Sequence, residues 1–269
     1  MVIDALVTPF QVFVRQRTVI SQFVQRELRT RYGPSAAGIG WVLIRPLTLL
    51  VIYTFVFSTV MNVRFGDSTR TVDFAFYLFC GMVPWLAFSD GIGRATTSIS
   101  EHSPLVKRLR FPSEILPLHQ VLVALAIESV GLLILFGALV IDGRSPGWPF
   151  LTLAVIVLPQ ILLTTGIAWF FAALAVFVPD MRHFVPFGMM VWMYATPIFY
   201  PLAIVPERLH WLYQLNPMTY LVEAYRGAML EHQAPALATL GVFCAASIAV
   251  FIAGYWTFNR LKYEFADVL

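Results

Sequence analysis

The sequence contains few charged residues. Only 12% of its 269 residues are Asp, Glu, Lys or Arg, whereas a soluble globular domain carries roughly 25%. Hydrophobic residues make up 59% of the chain, and the mean hydropathy is +0.76. Because a transmembrane helix needs about 20 mostly apolar residues, this length has room for roughly six crossings. The composition therefore predicts an all-α, multi-pass integral membrane protein.

The chain also lacks the motifs of common enzymes and metal sites. Its two cysteines, Cys80 and Cys244, lie in apolar stretches, and neither belongs to a CxxC or Cys/His pattern. HExxH and GxSxG are absent, and neither Lys107 nor Lys262 follows a glycine as the phosphate-binding loop GxxxxGK[ST] requires. We therefore expect no disulfide, bound metal, catalytic residue or ATP hydrolysis in this chain.

Basic residues are scattered through short loops. The formal net charge of +3 is not gathered on a basic surface interleaved with aromatics, so no nucleic-acid binding is expected. Asp4, Arg15 and Arg17 interrupt the first segment, which argues against a cleavable signal peptide.

Lys and Arg are enriched in the cytoplasmic loops of membrane proteins. An orientation with a cytoplasmic N-terminus puts 11 of these residues inside and 5 outside, so both termini are expected in the cytoplasm. The inside set is Arg15, Arg17, Arg26, Arg29, Arg31, Lys107, Arg108, Arg110, Arg182, Arg260 and Lys262, and the outside set is Arg64, Arg70, Arg144, Arg208 and Arg226.

The N-terminal region has the pattern of a surface helix. Apolar residues recur near helical spacing from Phe10 to Arg31, with arginines between them. This pattern predicts an amphipathic helix that lies on the membrane. Gly33 and Pro34 favour a turn and end it. Residues 1–35 are therefore predicted to form a cytoplasmic interface helix, and residues 36–269 the transmembrane domain.

Six apolar stretches are candidate crossings. They cover residues 36–62, 74–98, 115–141, 148–178, 184–200 and 235–258, and the fifth is short. The segment from Pro201 to Glu231 is too long for a tight turn and contains two candidate short helices, after Pro206 and after Asn216-Pro217. We expect these to be re-entrant elements at the outer interface.

Four Asp, Glu or Arg residues lie within the predicted crossings. Inserting a charged side chain at the bilayer centre costs at least ~2.5 kcal/mol of free energy, and such a side chain usually faces a partner or a water-filled cavity. Glu128 has no basic residue within a helical turn, so its partner must come from another helix. It is either a polar contact that lines a pathway or holds the bundle together, or a protonated carboxyl hydrogen-bonded within the core. Asp90 and Arg94 are four residues apart and are expected to pair. Arg45, next to a kink expected at Pro46, is expected to snorkel toward headgroups.

Aromatic residues supply 15% of the chain. One explanation is an interfacial belt, because Trp and Tyr favour the headgroup level. The other is a pathway for sugars, whose apolar faces pack against flat rings. The sequence leaves both open for the candidate channel residues Tyr53, Phe57, Trp192, Tyr194, Phe199 and Tyr200.

The loop from Ser100 to Glu114 contains a short amphipathic run from Leu105 to Arg110. It is either an ordinary basic loop or a helix that docks a cytoplasmic partner. Other short motifs follow one another in a recognisable order along the chain. They are Arg26-Glu27-Leu28, Arg31-Tyr32, Gly38, Trp41, Pro46, Gly81, Pro84-Trp85, Phe111-Pro112, Thr196-Pro197-Ile198, Tyr200-Pro201 and Asn216-Pro217.

In these motifs the chain resembles the permease subunits of type-2 ABC exporters that move lipid-linked polysaccharides such as O-antigen, capsule and teichoic acid. The resemblance implies a homodimer in the bacterial inner membrane. It also implies two copies of a separate ATPase that bind ATP and Mg, and a lipid-linked glycan as substrate. Where many relatives carry Phe-Arg-Asp after the fourth crossing, this chain reads Phe177-Val178-Pro179-Asp180, with Arg182 two residues on.

Carried over by position, the resemblance implies three sets of functional residues. The ATPase-coupling set is Leu105, Val106, Lys107, Arg108, Leu109 and Arg110, with Arg26 and Glu27; the outer gate is Trp211, Asn216, Pro217 and Tyr220; and the first and fifth crossings line the channel. Two other functions stay open at this point. One is a type-2 exporter of drugs or small lipids, and the other is a membrane-embedded enzyme acting on lipid-linked sugars.

Overall fold

The structure is a computed structural model that describes residues 14–32, 38–60, 71–107 and 111–269. The regular secondary structure in these ranges is helical, which confirms the prediction of an all-α membrane protein. The helices are α1 (Arg17–Tyr32), α2 (Trp41–Thr54), α3 (Thr71–Glu101), α4 (Ser103–Val106), α5 (Ile115–Ile141), α6 (Leu153–Phe177), α7 (Met181–Tyr194), α8 (His210–Leu215), α9 (Pro217–Met229), α10 (Leu237–Leu261) and α11 (Phe265–Val268).

Four helical segments in the described part of the chain are long and apolar enough to cross a membrane. They are Thr71–Glu101, Ile115–Ile141, Trp148–Phe177 and Leu237–Val268, and they correspond to the second, third, fourth and sixth predicted crossings. The predicted first and fifth crossings contain α2 and α7, each of 14 residues. Helix α2 continues as a π-helix over Phe55–Val60, whereas α7 is shorter than the about 20 residues of a full span. The count of six stays a prediction.

Helix α7 ends earlier than the apolar pattern suggests. The predicted fifth crossing runs to Tyr200, whereas the helix stops at Tyr194 and the chain continues through turns. Pro197 and Pro201 lie in this segment, and proline lacks the N–H that a continuing helix needs. Phe199 and Tyr200 therefore lie beyond the helix. In contrast, α2 continues through Pro46.

Helix α3 forms the centre of the bundle. It packs against α5, α6, α7 and α9, and most of its side chains between Phe74 and Ile99 are buried. Helices α6 and α10 pack most closely where Gly166 meets Gly254. A Cβ atom on Gly166 would lie 2.6 Å from the Val250 carbonyl oxygen, and one on Gly254 would overlap the Gly166 backbone. Glycine at both positions lets the two backbones touch.

The two ends of the bundle are built differently. Helix α1 lies against the start of α5, where its buried Ile20 packs with Ile115 and Leu118. We call this the α1 end. At the other end, the two predicted short helices are present as α8 and α9, and α9 buries most of one face in the core. We call this the α9 end.

Candidate functional site

A buried arginine at the α1 end ties three helices together. Arg31 of α1 is only 8% exposed. Its Nε donates to Glu27 Oε1 at 2.9 Å, its Nη1 to Asp90 Oδ2 at 3.0 Å and its Nη2 to Gln120 Oε1 at 2.5 Å. Charge-assisted bonds of this kind are about twice as strong as neutral ones. Arg31 therefore fixes the interface helix to α3 and α5.

The predicted pair of Asp90 and Arg94 is present. Arg94 Nε lies 3.0 and 3.1 Å from the two Asp90 carboxylate oxygens. The Asp90 carboxylate thus pairs with two arginines, because its Oδ2 also accepts a hydrogen bond from Arg31. The sequence predicted the pair from the spacing of four residues, but Arg31 is 59 positions away from Asp90. No local pattern indicates such a partner.

Glu27 completes this network on α1. Burial raises the pKa of Glu27, but the hydrogen bond and the positive charge of Arg31, with smaller contributions from His119 and Gln120, outweigh it and hold the pKa below its ordinary value. The carboxylate is therefore ionised near neutral pH. Arg26, its neighbour in the predicted ATPase-coupling set, is exposed.

A short helix overlaps the start of the predicted coupling segment. Pro104 occupies its first turn, a position that suits proline because its missing N–H is not needed there. The helix covers Ser103–Val106, and Lys107 follows it as an exposed residue. Arg108, Leu109 and Arg110 lie outside the described residues.

Two elements hold the loop after α3 in place. On one side, the Phe23 ring of α1 contacts the rings of His102, Phe111 and His119, with centroids 6.1, 6.1 and 5.3 Å away. On the other side, Val106 packs against a buried cluster that includes Phe265 of α11.

The C-terminal segment also binds this loop through an ion pair. Lys262 Nζ lies 2.7 Å from Glu114 Oε1, and the Glu114 carbonyl accepts a hydrogen bond from Trp169 Nε1 at 3.1 Å. The sequence did not indicate this contact, because 148 residues separate its partners. The loop is therefore held by both α1 and the C-terminal segment.

A closed polar ring surrounds Glu128 in the middle of the bundle. Tyr225 Oη lies 2.6 Å from Glu128 Oε1 and 2.7 Å from Gln160 Oε1, and Gln160 Nε2 donates to Glu128 Oε2 at 2.7 Å. All three side chains are buried. The prediction that the partner of Glu128 comes from another helix is confirmed, and the partners are polar rather than basic.

The number of hydrogens in this ring indicates the state of the carboxyl. If Glu128 is protonated, it donates to Tyr225 Oη, Tyr225 donates to Gln160 Oε1, and Gln160 donates back to Glu128, so every atom has a partner. If Glu128 is ionised, the single hydrogen of Tyr225 serves only one of its two oxygen neighbours. The geometry therefore favours the protonated carboxyl, which was one of the two readings of the sequence.

A second buried arginine lies at the α9 end. Arg226 is 1% exposed, so it is not the solvated outer loop charge that the orientation count assumed. Its Nη1 donates to the Pro197 carbonyl at 2.6 Å and its Nη2 to the Ile198 carbonyl at 2.8 Å. Glu223 Oε1 accepts a further bond at 2.9 Å. Arg226 thus holds the turn after α7 against α9.

Asn216 joins the predicted channel and gate residues. Its Oδ1 accepts from Trp192 Nε1 at 2.9 Å and from the Met218 N–H at 3.0 Å, and its Nδ2 donates to Thr196 Oγ1 at 3.0 Å. Pro217 follows as the first residue of α9, where its missing N–H costs nothing. These bonds cap α9 and fix it to the end of α7.

The other predicted channel and gate residues are divided between surface and core. Trp211 is exposed, and Tyr220 donates to the Gln214 carbonyl at 2.6 Å. Tyr194 is exposed and stacks on Phe199, whose ring is buried in the core. Tyr200 donates to the Tyr194 carbonyl at 2.6 Å. The side chains of Arg45, Tyr53 and Phe57 lie outside the described residues.

Three of the four predicted intramembrane polar residues line one cavity. Asp90, Arg94 and Glu128 border a cleft of about 540 Å³ between α3, α5 and α7, with Trp41 at its edge. A volume of about 300–1,000 Å³ is typical of small-molecule sites. Within the described residues, no group of His, Cys, Asp or Glu is arranged to hold a metal ion.

Long apolar helices that bury a few charged and polar side chains define a helical integral membrane protein, and such intramembrane side chains mark substrate pathways in many transport proteins. Residues 18–230 match the family described as "ABC-2 type transporter". The chain belongs to this family.

Three curated relatives are similar over nearly the whole chain. "O-antigen export system permease protein RfbA" of Myxococcus xanthus is 30% identical over 255 residues, which cover 93% of this chain and 95% of the relative. The protein of the same name from Klebsiella pneumoniae is 27% identical, with 91% and 92% covered. "Polysialic acid transport protein KpsM" of Escherichia coli is 24% identical, with 91% and 95% covered.

Proposed function

We propose that this chain is the transmembrane subunit of an ATP-driven exporter that moves lipid-linked polysaccharide across the bacterial inner membrane. The observation that carries the proposal is the near full-length similarity to permeases named for O-antigen export and for polysialic acid transport. O-antigen is the first candidate substrate, and capsule polysaccharide and teichoic acid are the alternatives. Both termini lie in the cytoplasm in this proposal.

ATP hydrolysis belongs to a separate partner. Two copies of a cytoplasmic ATPase bind ATP and Mg and engage the α1 end of two permease subunits, which together form a homodimer. The contact surface comprises Leu105, Val106 and Lys107 with Arg26 and Glu27. This assignment is supported by the contacts through which Arg31 and Phe23 connect the region to α3 and α5. Through these contacts a displacement of the loop is transmitted to the membrane helices.

The α9 end acts as the outer gate in this proposal. Asn216 connects α9 to Trp192 of α7, and Arg226 connects it to the turn that follows α7. Since α7 belongs to the crossing expected to line the channel, a movement of α7 is transmitted to α9 through these bonds. The gate and the channel wall then move as one unit.

The proposal is tested by deleting the gene in its native cell and measuring where the polysaccharide accumulates. We expect the surface polysaccharide to disappear and the lipid-linked form to collect on the inner face of the membrane, with both effects reversed by the restored gene. An unchanged surface polysaccharide together with a new drug sensitivity would contradict the proposal and favour a drug exporter. A surface polysaccharide of altered structure but normal amount would favour an enzyme.

A further inference from the structure

A second pocket lies at the α9 end, between α8, α9, the start of α10 and the segment that joins α9 to α10. Its volume is about 330 Å³, within the range of about 300–1,000 Å³ that is typical of small-molecule sites. It shares no lining residue with the cleft between α3, α5 and α7, and none of the described residues of α2 or α7 borders it. The pocket is therefore separate from the crossings expected to line the channel.

Helix α9 turns one face toward this pocket. Thr219, Glu223 and Gly227 line it and follow one another at intervals of four residues, so they share a face of the helix. Gly227 lets the segment after α9 approach closely. The Gln233 N–H donates to the Gly227 carbonyl at 2.8 Å, and a Cβ atom on Gly227 would lie 3.2 Å from the Gln233 carbonyl oxygen. The pocket is thus a built feature with two fixed walls.

Thr219 brings an unsatisfied hydroxyl to the pocket face of α9. The residue is only 7% exposed, and among the described residues its Oγ1 has no hydrogen-bond partner. A buried hydroxyl without a partner costs free energy, and a ligand that supplies the hydrogen bond removes this cost. The position of Thr219 therefore indicates a polar ligand in this pocket.

Other polar groups around the pocket are also free to bind. Glu223 uses only its Oε1, on Arg226. Four more polar residues line the pocket, and within the described part of the chain their side chains make no hydrogen bond or ion pair; they are Gln214, Glu231, Gln233 and Thr239. Carboxylates only accept hydrogen bonds, whereas amides and hydroxyls both donate and accept. This combination suits a ligand with several hydroxyl groups, because each hydroxyl also donates and accepts.

Two tyrosine rings provide flat apolar surface beside these groups. Tyr213 and Tyr220 both line the pocket. The Tyr220 hydroxyl donates to the Gln214 carbonyl at 2.6 Å, and Tyr213 Oη lies 2.7 Å from Tyr200 Oη. These bonds hold both rings in place. Flat rings pack against the apolar face of a sugar, so hydrogen-bonding groups and stacking surface occur together here.

The charge of the pocket narrows the class of ligand. Glu223 and Glu231 are the two charged residues among those that line it, and both are acidic. Arg226 offsets only Glu223, so Glu231 leaves the pocket negative. A ligand with carboxylate or phosphate groups is disfavoured by repulsion between like charges. A simple cation would use the carboxylates but not the amides, the hydroxyls or the rings.

We propose that this pocket binds a short stretch of a glycan without acidic groups and discriminates against glycans that carry carboxylates or phosphates. The proposal rests on the proposed function, which brings a glycan to the α9 end. It narrows the expected substrate to polysaccharides that are not polyanions. Polysialic acid and teichoic acid are then poor ligands of this pocket.

The test measures binding by equilibrium dialysis to the complex of permease and ATPase in phosphatidylcholine nanodiscs. The probes are short, lipid-free fragments of the surface polysaccharide of the native cell. The same fragments are also acetylated, which adds neutral groups, or succinylated to the same low degree, which adds carboxylates. We expect the succinylated fragments to bind about tenfold more weakly than the acetylated ones.

Four results would overturn the proposal. They are equal binding of acetylated and succinylated fragments, no binding of any fragment, displacement of the fragments by spermidine as a simple cation, and an acidic group in the repeat unit of the native polysaccharide.

Thr219→Val connects the binding to this pocket. The variant keeps the shape of the side chain and removes the hydroxyl, so it should weaken fragment binding about tenfold without lowering the midpoint of thermal unfolding. Thr165→Val is the matched control, because Thr165 of α6 is 1% exposed, also has an unpartnered Oγ1 among the described residues, and lies outside the pocket. Thr165→Val should bind as the wild type does. Weaker binding in both variants, or in neither, would overturn the assignment.

Glu231→Gln tests the charge of the pocket. Removing this carboxylate should bring the affinities for acetylated and succinylated fragments to within about threefold of each other. Glu207→Gln removes an exposed carboxylate outside the pocket and should leave the tenfold difference in place. Discrimination that is unchanged in Glu231→Gln would show that the pocket does not read the charge of the glycan.

The outcomes separate this inference from the proposed function. If deletion of the gene abolishes the surface polysaccharide but Thr219→Val binds the fragments as tightly as the wild type, the function stands and the pocket is not the site. If binding depends on Thr219 but deletion leaves the surface polysaccharide unchanged, the saccharide site stands and the proposed function fails.

Discussion

The guanidinium carbon of Arg226 lies 3.4 Å from the ring centroid of Tyr77, which places the charge directly on the face of the aromatic ring. Gly81, one helical turn after Tyr77 on α3, leaves the space in which this arginine fits. A Cβ atom on Gly81 would lie 3.0 Å from Arg226 Nη2 and 3.2 Å from Val222 Cγ1. A cation on a ring face is worth ~2 kcal/mol or more when it is shielded from water. The position of Arg226 therefore depends on both the Tyr77 ring and the absence of a side chain at Gly81.

Gly81→Val should destabilise the protein by about 1–3 kcal/mol, because the added side chain forces Arg226 or Val222 to move within a packed core. The measurement is thermal unfolding of the purified permease. Gly188→Val in α7 is the control, since a Cβ there meets no atom within 4 Å. Equal losses of stability for the two variants would mean that the packing around Arg226 does not depend on the absence of a side chain at Gly81.

Glu128→Gln should preserve stability, whereas Tyr225→Phe should cost about 1–3 kcal/mol because it leaves the Glu128 hydroxyl without an acceptor and Gln160 Oε1 without a donor. A glutamine reproduces the protonated carboxyl, with its NH₂ facing Tyr225 and its carbonyl facing Gln160. Thermal unfolding measures both effects. Infrared absorption of a protonated carboxyl, present in the wild type and missing in Glu128→Gln, provides an independent check. A larger loss for Glu128→Gln than for Tyr225→Phe would indicate an ionised Glu128.

Stability should depend on pH through Glu27. Its pKa in the folded state is lower than its ordinary value of 4.5, so the unfolded state binds the proton more readily. Ionised Glu27 therefore stabilises the fold above about pH 4.5, and this contribution is lost as the pH falls through the folded pKa. Unfolding of the wild type and of Glu27→Gln is compared from neutral to acid pH. The wild type should be more stable than Glu27→Gln at pH 7, and this difference in stability should disappear at acid pH. A difference that does not change with pH would contradict the pairing of Glu27 with Arg31.

Lys107→Glu should reduce the amount of ATPase that co-purifies with the permease, because this exposed residue directly follows α4 in the proposed contact surface. We expect a loss of about tenfold in affinity, the scale of one charge-assisted contact. Arg208→Glu introduces the same change of charge at an exposed position near α8 and should leave ATPase binding unchanged. If both variants recover equal amounts of ATPase, α4 is not part of the contact surface.

Local spacing predicted some contacts and could not predict others. Asp90 and Arg94 were paired correctly, because four residues separate neighbours on one helical face. The ionisable side chain of Glu128 within an apolar stretch indicated a distant partner, but Gln160 and Tyr225 carry no charge and gave no signal of their own. Arg226 was counted with the outer loop arginines because the orientation count reads only position along the chain. Gly81 and Thr196-Pro197-Ile198 were noted as motifs, and the structure shows that they surround this arginine.

Helix boundaries followed the apolar pattern in four of the six predicted crossings. Helices α3, α5, α6 and α10 match their predicted stretches closely. The apolar pattern continues beyond Tyr194, where the helix ends. An average of hydropathy over this stretch does not register the interruptions at Pro197 and Pro201. The contact between the C-terminal segment and the loop after α3 was missed for a different reason. Phe265 and Lys262 follow the last crossing, and nothing in their sequence indicates which loop they meet.

The most direct test of the account is transport by the reconstituted complex. Permease and cognate ATPase are placed in vesicles, the lipid-linked polysaccharide is supplied on the ATPase side, and its appearance on the opposite side is measured with and without ATP. We predict transfer that requires ATP and stops when the ATPase is inactivated by substitution. Normal ATP turnover with no polysaccharide transferred, together with transport of a small drug under the same conditions, would contradict the account.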